Sequence, residues 1–454
     1  MAWNFYPYDQ KTLYLLPPSV EEWVPKKSLA RFVNDVLDRL EAQGRLKSLY
    51  KSYRRDGWGA TAYHPRMLMK VLVYGYCVGV TSSRKLAAAL ENDVALRYLA
   101  ANQQPDFRTV ALFRKNHLEE LNALFGEILE LCKEAGLVKL GRVALDGRKV
   151  AGNAAMDQNR TESGLREVAK KLLEEAERVD EEEDRLYGPD VRGDELPEEL
   201  TDPKTRQERI EAAIRQLEEK KKQQEAQQAQ KLAKREAEEA ETGKKSRGRK
   251  PKDPKAVVNE EAKANMTDPD SRILKTRRGF TQGYNAQAIA ECGSQVIVAQ
   301  AVTQEENDVR QLAPMLQNCE EQNGQAPEEV LADAGYWSDE NAQLETEETE
   351  LFIATKKDHK QRKAMKEAEA PKGRISNGAT AKERMERKLL TQRGRAAYKQ
   401  RGATIEPVFG QMVMRNLKQF WLRGLKQVKV EWSLWCATHN LLKLWRSGWC
   451  PATE

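Results

Sequence analysis

The sequence contains little cysteine and no long apolar run. No Cys-x-x-Cys pair occurs, and no full set of cysteines and histidines has the spacing of a zinc site. No stretch approaches the roughly 18–20 apolar residues of a membrane span, and the start, MAWNFYPYDQKTLYLLPPS, lacks the basic-then-apolar order of a secretory signal. We therefore expect an intracellular protein without membrane segments. Its six cysteines are expected to be free thiols: Cys77, Cys132, Cys292, Cys319, Cys436 and Cys450.

Positive charge is concentrated late in the chain. Residues 355–454 contain 23 Lys and Arg against 8 Asp and Glu, a surplus of 15, whereas the net charge of all 454 residues is +6. The preceding residues therefore carry about −9 in total. A basic segment of this size favours a polyanionic partner such as nucleic acid, although a merely soluble basic surface would have the same composition.

Residues from about 27 to 135 are predicted to be helical. Apolar residues recur there at three- and four-residue spacing, as in SLARFVNDVLDRL and HPRMLMKVLVYGYCVGV. A short helix that starts at Asp106 or Thr109 would carry the basic residues Arg108 and Arg114. Short helices with small turns and basic residues suit a helix-turn-helix-like DNA reader, although plain helical packing explains any single helix equally well.

The composition changes sharply between about residues 158 and 250. This stretch is rich in Glu, Lys, Gln, Arg and Ala, which predicts long, solvated helices. Ile210, Ile214 and Leu217 would form a thin apolar seam, but the pattern fades towards residue 240. We therefore interpret the stretch as a charged helical insertion and not as a sustained coiled coil.

A basic linker, GKKSRGRKPKDPK, follows this insertion. Arg247 and Arg249 within it somewhat resemble the arginines of an AT-hook, which lays an extended strand into a narrow minor groove. Short basic runs with proline and glycine are more often only flexible linkers. These two arginines are therefore predicted as a secondary DNA contact at most.

From residue 280 onward the pattern alternates between strand and helix. GYNAQAIAEC and SQVIVAQAVT form a hairpin in this prediction, a helix opens at Asn307 and Asp308, and EEVLADAG and ELFIATKK are further strands. If residues 143–150 form the first strand, the order is three strands, a helix, a strand, a helix and a strand. This order indicates an α/β fold with a ribonuclease H-like mixed sheet and flanking helices.

Three acidic residues stand out by their positions in this order. Asp146 lies in the first strand, Asp333 ends the fourth, and Glu406 lies in the first turn of the predicted terminal helical region. A ribonuclease H-like layout brings these places to one edge of the sheet. Phosphodiester chemistry needs such a cluster, because two Mg²⁺ ions about 3.5–4 Å apart must be held by oxygen ligands.

Each acid also has a purely structural interpretation. Asp146 and Gly147 together are a strong hairpin-turn signal between apolar runs. Glu406 follows Thr404, a candidate N-cap, and precedes a proline, so it could simply stabilise a helix dipole. Asp333 alone is equally consistent with capping and with chemistry. The occurrence of all three acids in this order is what favours a catalytic site.

At these residues the chain resembles the DDE transposases of bacterial insertion sequences. The resemblance runs from about residue 30 to 446, through motifs such as PDFRTVALFRK, LDGRKVAGNAA, GFTQGYNAQAIAE, NDV, LADAGYWSDE, RGATIEPVFGQM and EWSLWCATHNLLKLW. It implies a ribonuclease H-like catalytic core that uses Mg²⁺, with Mn²⁺ as a substitute, to cleave and rejoin DNA at transposon ends. The catalytic, metal-holding acids then fall on Asp146, Asp333 and Glu406.

One branch of that family adds a Tyr, an Arg and a Lys around the glutamate, and these would contact the phosphate backbone. Tyr398 and Arg401 match, although four residues separate Arg401 from the glutamate where the pattern expects three. The place of the lysine is Val413. The resemblance therefore implies DNA contacts by Tyr398 and Arg401, with Arg415 or Lys418 as the neighbouring cations.

The resemblance also organises the chain into regions. Residues 1–138 would be a helical DNA-binding domain, 139–157 the first strand of the core, 158–255 the insertion and linker, and 256–454 the remainder of the core. The implied partners are double-stranded transposon ends and target DNA, with a homodimer in the end complex and no membrane, in the bacterial cytoplasm at the nucleoid. A metal-dependent nuclease without strand transfer and a catalytically silent DNA-binding protein remain as alternatives.

Overall fold

A computed structural model describes residues 19–53, 61–171, 203–242, 262–276, 279–376 and 378–451. Arg247 and Arg249, predicted as a secondary DNA contact, lie outside these described residues, as does the middle of the predicted insertion. Within the described ranges, no helix is both long and apolar enough to cross a bilayer.

The first part of the chain is helical, as predicted. Asp106 accepts a hydrogen bond from the backbone N–H of Thr109 at 2.7 Å and thereby begins the helix that carries Arg108. Pro65 occupies the first turn of another helix, where its missing N–H costs nothing. The described helices of this part are α1 Val20–Trp23, α2 Leu29–Ala42, α3 Pro65–Val78, α4 Ser83–Asn92, α5 Val94–Leu99, α6 Phe107–Asn116 and α7 Leu118–Glu134.

A mixed sheet forms the centre of the remaining chain. The described strands are β1 Arg142–Ala151, β2 Asn159–Thr161, β3 Lys263–Asn265, β4 Arg272–Thr276, β5 Gly279–Glu291, β6 Ile297–Thr303, β7 Glu329–Ala332 and β8 Glu350–Ile353. The main sheet has the order β6-β5-β1-β7-β8, and β4 also pairs with β5. Strand β5 is antiparallel to its neighbours, whereas β1, β7 and β8 are parallel. This confirms the predicted ribonuclease H-like sheet.

Strand β1 continues through Asp146 without a turn. Asp146 pairs with Ala288 and Gly147 pairs with Gln287 in one uninterrupted antiparallel ladder with β5. The hairpin interpretation of the Asp-Gly pair was therefore wrong, because cross-strand hydrogen bonding overrides the local turn signal. Asp146 thus projects from the middle of a rigid strand.

Several helices surround this sheet. The first part of the longest one, α8, packs Ile210 and Leu217 into a small cluster with Leu165 and Ala264, as the predicted thin seam requires. The described helices after β1 whose full ranges are defined are α8 Pro203–Thr242, α9 Leu312–Asn323, α10 Asp339–Ala342, α11 Asp358–Glu367, α12 Ala381–Leu390, α13 Gln392–Met414 and α14 Leu425–Arg446.

Helix α13 begins earlier than the sequence indicated. Thr391 is its N-cap and accepts a hydrogen bond from the N–H of Gly394 at 3.0 Å. The predicted start near Thr404 was therefore wrong, and Glu406 lies in the middle of the helix and not in its first turn.

The reason is a proline that the helix tolerates internally. Pro407 has no N–H to donate to the carbonyl of Ala403, which would normally remain unpaired inside the helix. The side chain of Gln295, from the turn between β5 and β6, donates to this carbonyl at 3.1 Å. A tertiary contact thus replaces the lost helical hydrogen bond.

Helix α14 joins the first helices to the sheet. It packs against α3 and α7 on one side and against β6 on the other, and most of its residues are buried. Its Asn440 side chain bonds both the N–H and the carbonyl of Ile297 in β6, at 2.7 and 2.8 Å. The N-terminal helices and the sheet consequently share one hydrophobic core, which fixes their relative positions.

Candidate active site

Asp146 is the most strongly perturbed carboxyl group at the sheet edge. Its Oδ1 accepts a hydrogen bond from the N–H of Gly147 at 2.8 Å, and its Oδ2 lies 3.4 Å from Nη1 of Arg401. Burial and, to a smaller extent, the negative charge of Asp333 raise the pKa of Asp146 from 3.8 to about 7, and Arg401 opposes both effects. The positive charge of Arg401 therefore compensates the negative charge of Asp146 only in part.

Asp333 lies at the end of the neighbouring strand. Strands β1 and β7 are parallel in a register that pairs Ala144 with Leu331, so the chain brings Asp333 level with Asp146. Oδ1 of Asp333 accepts from the N–H of Gly335 at 2.8 Å and thereby caps the short 3-10 turn Ala334–Tyr336.

The capping and chemical interpretations of Asp333 are therefore compatible. Only one of its oxygens serves the turn, and Oδ2 has no hydrogen-bond partner among the described residues. Burial raises the pKa of Asp333 as well. Ser338 caps the following helix by accepting from the N–H of Asn341 at 3.0 Å.

Glu406 reaches the same edge from α13. Its Oε1 lies 3.1 Å from Nη2 of Arg362 and 3.9 Å from Nη2 of Arg401. The Arg401 guanidinium is thus within 4 Å of carboxylate oxygens of both Asp146 and Glu406. In this structure Glu406 is held by cations, and its side chain is 55% exposed.

Tyr398 and Arg401 are buried beside these acids. Nη2 of Arg401 lies 3.4 Å from Oδ1 of Asp358, and the Tyr398 hydroxyl donates to the same oxygen at 3.3 Å. Burial alone would lower the pKa of Arg401, but Tyr398 and the surrounding carboxylates raise it, so the guanidinium stays charged. Both residues contact protein carboxylates here, and their contacts to DNA remain predictions.

The structure does not bring Arg415 to the carboxylates. Its guanidinium lies between α3 and α14, where Nη1 donates to the carbonyl of Tyr76 at 3.2 Å and the group stacks over Trp435 at 5.4 Å. Helix α13 ends at Met414, so the chain turns away from the sheet edge before Arg415. Lys418, in contrast, is exposed.

The two predicted basic contacts on α6 differ in exposure. Arg108 is exposed, whereas Arg114 is only 3% exposed and donates to the carbonyl of Thr81 at 2.7 Å. Burial raises the pKa of Glu431, the charge of Arg114 lowers it, and this buried carboxyl group accepts the N–H of Trp421 at 2.9 Å. Arg108 therefore remains available to DNA, while Arg114 supports the interior.

Sequence reasoning missed Asp308 as a neighbour of the two aspartates. Its Oδ1 accepts from Nδ2 of Asn285 at 2.6 Å and from Nε2 of Gln287 at 2.7 Å, and its charge acts on both Asp146 and Asp333. The sequence indicated only a helix opening here, and the structure has a 3-10 turn, Val309–Gln311, before α9. No local signal distinguishes Asp308 from an ordinary turn residue.

Asp358 was missed as well, although a signal for it exists. It follows β8 closely and begins α11, so it comes after a strand of the parallel set just as Asp333 does. Acids at the carboxyl ends of neighbouring parallel strands meet at one sheet edge. Applying this rule to every strand would have found Asp358.

The acids were tested against the requirements of Mg²⁺. Among the described residues, no group of three or more Asp, Glu, His or Cys side chains is arranged to hold one ion. Mg²⁺ in phosphoryl-transfer sites usually takes only one or two carboxylates and completes its shell with water and phosphate. Asp146 and Asp333 offer hard oxygens whose mutual repulsion a divalent cation would relieve. The donor set therefore fits Mg²⁺ or Mn²⁺.

A basic cavity of about 400 Å³ adjoins Glu406 between α11 and α13. Tyr398 and Met365 contribute apolar surface to it. Its charged lining consists of one acid, Glu406, and five cations, Arg362, Lys366, Arg395, Lys399 and Arg401. Such an excess of cations beside partly buried aspartates suits a phosphate-bearing ligand.

The sheet order and the acids at its edge define a ribonuclease H-like protein. Residues 18–116, which include α1 to α6, match the family model described as a transposase domain (DUF772). Residues 341–445, which include Glu406, match that of a transposase DDE domain. No curated protein and no solved structure matches the chain. These two matches support a DDE transposase of an insertion sequence, a family that acts on DNA.

Proposed function

We propose that this transposase cleaves phosphodiester bonds at the ends of its insertion sequence and joins the freed 3′-hydroxyl to target DNA. Asp146, Asp333 and Glu406 are its catalytic, metal-holding acids in this proposal. The observation that carries it is the juxtaposition of two partly buried aspartates on adjacent parallel strands, where burial and then the charge of Asp333 raise the pKa of Asp146 to about 7. Such a pair is costly to a fold unless it binds a cation.

The residues at this edge have distinct roles in the proposal. Asp146 and Asp333 hold Mg²⁺, which when bound activates the attacking water or hydroxyl and stabilises the leaving oxygen. Glu406 completes the set after it leaves Arg362 and Arg401, its partners at 3.1 and 3.9 Å. Phosphate groups of DNA compete with Glu406 for these two cations, so substrate binding and release of Glu406 are coupled.

DNA follows the basic surface around the cavity in this proposal. Tyr398 and Arg401 contact the backbone next to the cut, Lys418 extends the contact, and Arg108 on α6 binds the duplex at a distance from it. Residues 1–138 form the DNA-binding unit, and 139–157 with 256–454 form the catalytic core interrupted by the insertion. Since two transposon ends require two active sites, the end complex is a homodimer at the bacterial nucleoid.

An assay with labelled DNA separates this function from its alternatives. The substrates are duplexes that carry the sequences flanking the coding region, incubated with the full chain, Mg²⁺ and a supercoiled target. Joined products support the transposase that we propose. Nicks without joining indicate a nuclease, and retention of DNA without cutting indicates a silent DNA-binding protein.

The residue assignment is tested by Asp333→Asn in the same assay. This change preserves the size of the side chain and the acceptor for the N–H of Gly335, but it removes the charge that holds metal. We expect metal-dependent cutting to disappear while duplex retention is unchanged. Asp339→Asn, an exposed acid in the first turn of α10, is the matched control and should cut normally. Cutting that persists in Asp333→Asn would overturn the assignment.

A further inference from the structure

A buried hydrogen-bond network lies directly behind the two aspartates. Its central residue is Gln287 on β5, which is fully buried. Nε2 of Gln287 donates to Oδ1 of Asp308 at 2.7 Å, and its Oε1 accepts a hydrogen bond from the hydroxyl of Tyr336. Asn285, two residues earlier on the same strand, donates to the same Asp308 oxygen at 2.6 Å.

The chemistry of these groups fixes the orientation of the amide. An ionised carboxylate only accepts hydrogen bonds, so Gln287 must turn its NH₂ group towards Asp308. Its carbonyl oxygen then faces Tyr336, which can satisfy it only by donating its hydroxyl proton. Tyr336 is fully buried, and an unpaired partner in such a place would be costly. The network therefore has one arrangement.

Through Tyr336 the network reaches Asp333. Tyr336 ends the 3-10 turn that Asp333 caps, and its backbone N–H donates to the carbonyl of Asp333 at 3.2 Å. The N–H of Gly335 holds Oδ1 of Asp333 at 2.8 Å. Anchoring the Tyr336 hydroxyl on β5 thus fixes the turn, and the turn fixes the carboxylate.

Through the strand ladder the same amide reaches Asp146. Gln287 pairs directly with Gly147, the residue that follows Asp146 and donates to its Oδ1. A Cβ at position 147 would collide with Nε2 of Gln287 and would lie 2.7 Å from Oδ1 of Asp308. Glycine therefore leaves the space that the Gln287 amide and the Asp308 carboxylate occupy.

We infer that Gln287 is a positioning residue that sets the separation of Asp146 and Asp333 by bonding Asp308 and Tyr336 at the same time. This inference rests on the proposed function, because it assumes that the two aspartates hold a metal ion. Gln287 itself contacts neither metal nor DNA. Its effect is on the affinity of the aspartates for a divalent cation.

The test measures Mn²⁺ binding to the full chain without DNA, by calorimetry. Gln287→Met keeps the length of the side chain but removes both hydrogen bonds, and Tyr336→Phe removes only the hydroxyl. We expect each change to weaken Mn²⁺ binding by about tenfold or more, as changes behind metal ligands commonly do. The double variant should be no weaker than Gln287→Met alone, because both act through one contact.

Gln282→Met is the matched control. Gln282 lies on the same strand, is 3% exposed, and also uses both ends of its amide, accepting from Asn159 at 3.1 Å and donating to Ser271 at 2.6 Å. Gln282→Met removes two side-chain hydrogen bonds, as Gln287→Met does, but at a distance from the aspartates. The affinity for Mn²⁺ should therefore stay within twofold of wild type. If the substitutions acted only through a general loss of stability, Gln282→Met would weaken Mn²⁺ binding as much as the other variants do. That result would contradict a positioning role for Gln287.

The proposed metal site and the positioning role of Gln287 can fail separately. If wild-type protein binds no Mn²⁺ that Asp146→Asn removes, the proposed metal site is wrong and the inference about Gln287 falls with it. If wild type binds Mn²⁺ through Asp146 but Gln287→Met and Tyr336→Phe bind it equally tightly, only the positioning inference is overturned. Tyr336→Phe keeps the test decisive if Gln287→Met does not fold.

Discussion

Replacing Asp146 with Asn should stabilise the metal-free protein at neutral and alkaline pH. The folded protein raises the pKa of Asp146 from 3.8 to about 7, first through burial and then through the charge of Asp333. Between these two pH values the folded state keeps a proton that the unfolded chain has released, so wild-type stability falls as the pH rises through this window. Asparagine does not titrate, so it adds no such pH dependence to the stability. Its amide oxygen still accepts the hydrogen bond from the N–H of Gly147.

The magnitude follows from the size of the shift. About three pKa units, at roughly 1.4 kcal/mol each, give at most about 4 kcal/mol above pH 7. Loss of the ion pair with Arg401 at 3.4 Å offsets part of this gain. We therefore expect the thermal midpoint of Asp146→Asn to exceed that of wild type by about 2–6 °C at pH 8, with little difference at pH 4.

Thermal unfolding in EDTA at pH 4, 5, 6, 7 and 8, followed by tryptophan fluorescence, measures this difference. Trp432 and Trp435 are fully buried and report on the shared core. Added Mg²⁺ or Mn²⁺ should raise the midpoint of wild type but not that of Asp146→Asn, since only the former binds it. A midpoint difference that is equal at pH 4 and pH 8, or an Asp146→Asn protein that melts below wild type at pH 8, would refute the reasoning.

Asp106 provides a control, because its pKa shift has the opposite sign to that of Asp146. Asp106 caps α6 on the surface, and the N–H of Thr109 lowers its pKa. Its contribution to stability is present above the ordinary pKa of an aspartate and is lost as the pH falls through the lowered value. Asp106→Asn should therefore never be more stable than wild type at pH 8.

Further expectations concern a buried carboxylate, the surface of α6 and one glycine. Glu431→Ala should destabilise the fold by about 1–3 kcal/mol, because it leaves the N–H groups of Trp421 and Leu422 without their acceptor; an unchanged thermal midpoint would contradict this. Arg108→Ala should weaken duplex binding and reduce the slope of log affinity against log salt by about one, and an unchanged slope in filter binding would exclude a phosphate contact. Gly147→Ala should abolish Mn²⁺ binding in calorimetry because its Cβ would displace Gln287, and normal binding would show that the network tolerates it.

The parts of the fold that depend on local pattern could be predicted. The start of α6 at Asp106 follows from one side chain and the backbone three residues later. The strand order followed from short apolar runs such as EVLA in β7, which are buried on both faces of a parallel sheet. Asp146 and Asp333 could be singled out for the same reason, since a charge that ends or interrupts such a run is conspicuous.

The parts that depend on distant contacts could not be predicted. Pro407 is locally a first-turn signal, and only the side chain of Gln295, far away in the chain, allows it inside a helix. Arg114 is a basic residue of a kind usually exposed, but it is buried and donates to the carbonyl of Thr81, a distant residue in the chain. Asp308 joins the aspartates because Asn285 and Gln287 on another strand hold it there. In each case the partner, and not the local pattern, decides the role.

The packing of α14 also constrains the order in which the protein can mature on the ribosome. This helix, Leu425–Arg446, supplies the surface that joins α7 to β6, yet residues 135–424 are synthesised after α7 and before it. At about 5–20 residues per second, translation of this interval takes roughly 15–60 s. During that time the nascent chain has helices α1 to α7 but not the helix that connects them to the sheet. The contact between the first helices and the sheet is therefore completed only at the end of synthesis.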